Sequence, residues 1–186
     1  MSKKVSRTIS ASILLLALIA ALMALRSPNA TLVPVSAPDA KSFDEKLASL
    51  EQDHQQGVAH TARITETELT SKLQQGIDAS ANAQGAVALK AASVHLEDAG
   101  FAGVFTLSVS GKVLYLTMTG TLGVIDGRLQ IQPATAKLGS LPIPAVAFRR
   151  LLQKQFDSPE AREQLRLPDF IKDVHIVNGE LLVDAQ

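Results

Sequence analysis

The chain predicts an α+β fold: an N-terminal single transmembrane helix, then an antiparallel meander sheet with one apolar face covered by helices. Three observations carry this expectation. Residues 9–25 are almost unbroken in apolar side chains. Two helix starts with capping-box spacing follow, at Ser42 and Thr65. Beyond them, apolar and polar residues alternate around glycine turns, the period of half-buried strands.

The run from Ile9 to Leu25 is seventeen residues, roughly 25 Å as a helix and at the short end of a bilayer span. Lys3, Lys4 and Arg7 precede it and Arg26 follows. Positive charge on the N-terminal side keeps the start cytoplasmic and sends the rest across. A cleaved signal peptide needs small residues at the third and first positions before the cut, and Leu22 to Ala30 holds no Ala-x-Ala pair. The chain has no Cys, which excludes lipoprotein processing. Residues 1–26 are therefore read as a retained anchor, or uncleaved signal, with the membrane as partner through residues 9–25. The rest is periplasmic or extracellular.

From Asp39 onward the chain carries fourteen basic and eighteen acidic residues, −4 with His neutral. That balance offers nucleic acid no electrostatic footprint. The length suits one domain with a real core. Without cysteine the fold stands on packing alone, and with no Trp, one Tyr and six Phe that packing is aliphatic.

Residues 27–58 read as a linker and a short amphipathic helix. Pro28, Pro34 and Pro38 suggest an extended spacer to about residue 41, and Asn29-Ala30-Thr31 fits a glycosylation acceptor. The Ser42–Glu45 box then opens a helix with Phe43, Leu47 and Leu50 on one face. The domain proper, 59–186, begins with an extended Ala59–Ile64. Thr65 and Glu68 start a second helix whose Leu69, Leu73 and Ile77 form an apolar stripe. A small-residue loop follows over 78–86.

Between Lys90 and Gln132 the turns set the register. Ser110-Gly111 as a two-residue primed turn pairs Leu107 with Leu114 and Phe105 with Leu116. Asp126-Gly127 pairs Val124 with Leu129 and Leu122 with Ile131. A one-residue slip would set apolar against polar in both hairpins. The loop Glu97–Gly100 adds the strand of Ala92, Val94 and Leu96, which makes four strands with one apolar face. Pro144 is placed to start a helix carrying Phe148, Leu151, Leu152 and Phe156. A polar connection between Pro159 and Pro168 leads to a last hairpin at Asn178-Gly179, pairing Ile176 with Leu181 and Val174 with Val183.

Four strands of about nine residues make a face roughly 30 by 20 Å, and one helix covers a strip roughly 10 Å wide. Both helices are needed to close it. A loosely packed helix leaves a groove suited to an acyl chain or another elongated apolar ligand. The candidate ligand face is Phe105, Leu107, Leu114, Leu116, Met118 and Leu122 on the sheet, with Phe148, Leu151, Leu152 and Phe156 on the helix. Arg149, Arg150 and Lys154 are placed to meet lipid phosphates, against the plainer reading of a solvated helix face. The plain alternative for the apolar face is an ordinary closed core.

The order of motifs is a Thr-Glu-x-Glu-Leu helix start at Thr65, paired strands, Asp126-Gly127-Arg128-Leu129 and Leu138-Gly139-Ser140-Leu141-Pro142-Ile143-Pro144. Leu167 to Val183 then closes the chain. This resembles the LmeA-like and YpmS-like bacterial envelope proteins over about residues 60–184. The resemblance implies an N-terminal membrane segment, an extracytoplasmic domain of long curved strands and helices, and binding of phospholipid or another lipid. It carries no residue-level site.

No catalytic residues, metal ligands or cofactor are expected. His54, His60, His95 and His175 show no His-x-x-x-His spacing, and Glu97-Asp98 sits in a hairpin loop where acidic residues serve the turn. Nucleophile-elbow, phosphate-loop and dinucleotide fingerprints are missing from the sequence. The expectation is a non-enzymatic, membrane-anchored protein that binds a lipid or similar apolar ligand. The rival is an anchored scaffold with a closed core that docks an envelope partner by a sheet edge.

Overall fold

The computed structural model describes Met23 and residues 31–80, 87–156 and 165–186, with side chains of the third segment up to Arg150. The apolar run, Met23 excepted, lies outside the described residues, as do most of the loop expected over 78–86 and the connection 157–164. No helix among the described residues is long and apolar enough to cross a membrane. The elements are α1 (Ala37–Gln55), β1 (His60–Ile64), α2 (Glu66–Ala79), β2 (Val87–Leu96), β3 (Phe101–Val109) and β4 (Lys112–Ile125). They continue with β5 (Arg128–Leu138), β6 (Leu141–Pro142), α3 (Ala145–Phe156), β7 (Ile171–Val177) and β8 (Glu180–Ala185). The fold is α+β with antiparallel sheets.

The meander forms in the expected register. Phe105 pairs with Leu116, Leu107 with Leu114, Leu122 with Ile131 and Val124 with Leu129. Ser110-Gly111, Asp126-Gly127 and Asn178-Gly179 all have positive φ at both positions, the geometry a type I′ turn requires. Strand β4 runs fourteen residues, and its ladder with β5 shifts register between Thr119 and Gly120: Ala134 is the extra residue on β5, beside Pro133, which faces Gly120 and has no N–H to give the ladder. A Cβ on Gly120 would run into the Gln132 carbonyl, so only glycine fits the bulge. Two residues of β6 extend the sheet to the order β2-β3-β4-β5-β6.

The cover of the apolar face differs from expectation. The last hairpin joins β1 in a second sheet, β1-β8-β7, and β7 lies against β4. A lone hairpin is marginal in water, and β1 supplies the third strand. Ala62, Ile64, Val174, Ile176, Leu181 and Val183 point inward and share one core with Val94, Leu96, Phe101 and Met118. Sheet-on-sheet packing therefore closes much of the face that helices alone were expected to close. Helix α3 lies against β5, with Phe148 buried.

Helix α1 starts six residues before the expected capping box. Ser36 is the N-cap, its hydroxyl accepting from Asp39 N at 3.1 Å, and Pro38 sits in the first turn, where a missing N–H costs nothing. Ser42 therefore lies inside the helix, and its hydroxyl donates to Glu68 instead. Residues 31–35 have no regular secondary structure, but they are not free of the domain. Val33 is buried, its N–H donating to Ser93 Oγ at 2.8 Å on the outer face of β2.

Candidate functional site

Helix α2 is amphipathic in an inverted sense. Its capping box at Thr65 and Glu68 forms as the spacing predicts. Yet the residues it buries are Glu68, Thr70 and Ser71, while Leu73 remains 39 % exposed. Two neighbours explain this. The first is the edge of β2, which presents unpaired backbone groups. Glu66, Thr70 and Gln74 step along α2 at four-residue intervals, about 6 Å apart, close to the two-residue step of a strand. Glu66 Oε2 accepts from Leu96 N, and Thr70 Oγ1 accepts from Val94 N at 3.0 Å and donates to Val94 O at 3.2 Å. Gln74 accepts from Ala92 N and donates to Lys90 O. A polar stripe of the helix thus completes the sheet edge.

The second neighbour is α1. Glu68 accepts from Ser42 Oγ at 2.5 Å, from Lys46 Nζ at 2.7 Å and from Thr65 N at 2.8 Å. Burial pushes the Glu68 carboxyl up, but the hydrogen bonds from Lys46, Ser42 and Thr65 and the Lys46 charge outweigh it and hold it at about 2. Ser36 N donates to Ser71 Oγ at 3.0 Å. Polar contacts therefore clamp α1 onto α2.

With its polar side spent on these neighbours, α2 turns Leu69, Leu73 and Ile77 to a groove. Phe43 of α1 and Val87 and Leu89 of β2 complete its apolar walls, and the cavity is about 480 Å³. That volume lies in the range of small-molecule sites. Lys72 and Lys90 stand at its border, Lys72 bound to Asp44 at 2.8 Å. Gly76 lies in the wall, where an added Cβ would stand in open space.

The structure divides the candidate face in two. Met118 and Phe148 are buried, and Phe105, Leu116 and Leu122 pack against the core, so these five belong to the interior. Leu107 and Leu114, near the Ser110-Gly111 turn, are half-buried and sit in one cross-strand row with Leu89 of the groove. The side chains of Leu151, Leu152, Lys154 and Phe156 lie outside the described residues; Arg149 and Arg150 are exposed on α3. Phe43, Leu69, Leu73 and Ile77 were legible as apolar stripes; Phe43 and Leu69 pack against the core as well as lining the groove, whereas Leu73 is exposed. The signal that α2 turns Leu73 outward was its second stripe, Glu66-Thr70-Gln74, at the same four-residue spacing.

The histidines have separate environments. His54 stacks on Phe170 at 5.5 Å and its Nδ1 lies 2.8 Å from Gln186 O. His60 pairs with Asp53, and His95 Nε2 contacts Thr31 O. Only His175 joins two carboxylates, Asp173 and Asp184, closely enough for the three to hold an ion, among the described residues. A scan against protein-family models and searches of curated proteins and of solved structures return no match.

Proposed function

We propose that this chain is a membrane-anchored extracytoplasmic protein, non-catalytic, that holds an acyl chain of a lipid in the groove between α1, α2 and the start of β2. The observation that carries the reading is the set of apolar side chains left uncovered in one place. Leu73, Val87 and Leu89 are 39 %, 57 % and 40 % exposed and line a single cavity. Burying such side chains fully is worth about 1.5–3 kcal/mol each, so a ligand that covers them has a driving force. Lys90 at the border suits a phosphate headgroup. The resemblance to LmeA-like domains points to the same ligand class, and the apolar run 9–25 would keep the groove beside its source of lipid.

The test is photocrosslinking of the full-length protein in vesicles that contain a phospholipid with a photoactivatable acyl chain. Adducts are expected on peptides that carry Leu73 and Leu89. Leu73→Glu, at a position already half open to water, should abolish those adducts while leaving the far-ultraviolet circular dichroism unchanged. Adducts confined to residues 9–25 would reject the groove as a lipid site and favour the anchored scaffold.

A further inference from the structure

We propose a divalent transition-metal site of the Zn²⁺ class on the outer face of the small sheet, held by His175 Nδ1, Asp173 Oδ2 and Asp184 Oδ2. Residues two apart on a strand share a face, which sets Asp173 beside His175 on β7. Asp184 of β8 is the cross-strand partner of Asp173. The three donor atoms all lie within 4.8 Å of one another, with His175 Nδ1 at 3.2 Å from Asp173 Oδ2 and 3.7 Å from Asp184 Oδ2. A tetrahedral ion with bonds of about 2.0–2.2 Å sets its ligand atoms roughly 3.4 Å apart. The arrangement needs little movement to accept one.

Two further observations point to an ion rather than to a chance surface cluster. His175 Nδ1 is closed from solvent and makes no hydrogen bond, although both carboxylates are near. The carboxylates reach it at ion-pair distance but without a hydrogen bond, so the nitrogen keeps a bond to make. The remaining carboxylate oxygens are already oriented: Val174 N donates to Asp173 Oδ1 at 2.8 Å, and Thr61 Oγ1 donates to Asp184 Oδ1 at 2.5 Å. Outer hydrogen bonds of this kind aim a ligand's free oxygen at a metal. The nitrogen donor argues against Ca²⁺ or Mg²⁺, which take oxygen ligands in larger number, and imidazole with carboxylate suits Zn²⁺. Three protein ligands leave a fourth position for water or for a donor from outside.

The test is a calorimetric titration of full-length protein in detergent, purified without a histidine tag and stripped with chelator, using ZnCl₂ alone as the probe. One equivalent of Zn²⁺ is expected. His175→Ala and the isosteric Asp184→Asn should each abolish that binding, and Thr61→Val should weaken it about 10–100-fold. His54→Ala and His60→Ala should leave it unchanged. His175 is 37 % exposed, so its replacement is compatible with folding, and circular dichroism checks this. Absence of a Zn²⁺ isotherm, or one unaltered in both His175→Ala and Asp184→Asn, would overturn the site.

Discussion

Helix α2 and strand β7 both turn one side to the interior and one away, with opposite chemistry. Strand β7 buries Val174 and Ile176 and presents Asp173 and His175 outward. Helix α2 buries Glu68, Thr70 and Ser71 and presents Leu73 outward. The difference lies in what each element meets. Strand β7 faces another sheet's apolar surface, which asks for apolar side chains. Helix α2 faces a sheet edge with unpaired backbone groups and, on α1, Ser42, Lys46 and the Ser36 amide, all of which ask for hydrogen bonds. Each element then leaves something unfinished on its outer side. On α2 it is apolar area without cover, and on β7 it is a ring nitrogen held between two carboxylates without a hydrogen bond. These two deficits mark the candidate sites.

The largest expected effect comes from breaking the polar clamp that gives α2 its orientation. Lys46→Met leaves the buried Glu68 carboxylate without its cation and should cost about 2–3 kcal/mol in chemical denaturation. The same group sets an acid response. A carboxyl held near 2 in the fold and at about 4.5 when unfolded contributes stability that is present above the unfolded value and lost as pH falls from there toward 2. Denaturation series between pH 6 and pH 3 should show a steeper loss for the natural chain than for Glu68→Gln. Equal slopes would mean that Glu68 is not clamped, and the contrast between the two elements would fail.

A smaller effect tests the sheet edge. Thr70→Val keeps the shape of the side chain but strands Val94 N–H and C=O, for a cost of about 1–2 kcal/mol. Amide hydrogen exchange should accelerate at Val94 and leave Val183, in the central strand of the other sheet, unchanged. The smallest effect sharpens the groove. Leu73→Ala should change stability by no more than about 0.5 kcal/mol, whereas Leu69→Ala, which packs against the core, should cost about 2 kcal/mol. A Leu73 penalty as large as that of Leu69 would show the groove closed in solution.

The hairpins were legible because their information is local. Asp126-Gly127 and Asn178-Gly179 select the turn, the turn selects the register, and the period of two then decides which residues share a face. The same logic places Asp173 beside Asp184 and His175, a juxtaposition that a search for helical His spacing passes over. The candidate face was legible only in part. Phe105 and Leu116 pair as expected, yet whether they line a groove or a core depends on what lies above them. That cover is β1-β8-β7, whose placement against β4 no local pattern announces. The start of α1 was missed for a related reason. Ser42 has the capping-box spacing with Glu45, but its hydroxyl donates to the Glu68 carboxylate across the α1–α2 contact, and Ser36 caps the helix.

The amino-acid sequence by itself determined the α+β class, the three type I′ turns, the strand registers beside those turns and the capped start of α2, since each rests on contacts a few residues apart. Only the tertiary structure decided that the small sheet covers the meander, that α2 gives its polar stripe to the edge of β2, and that the groove and the Asp173–His175–Asp184 cluster exist. Those outcomes depend on which surfaces compete for burial across the whole chain, and that competition is settled by the assembled packing rather than by any segment of it.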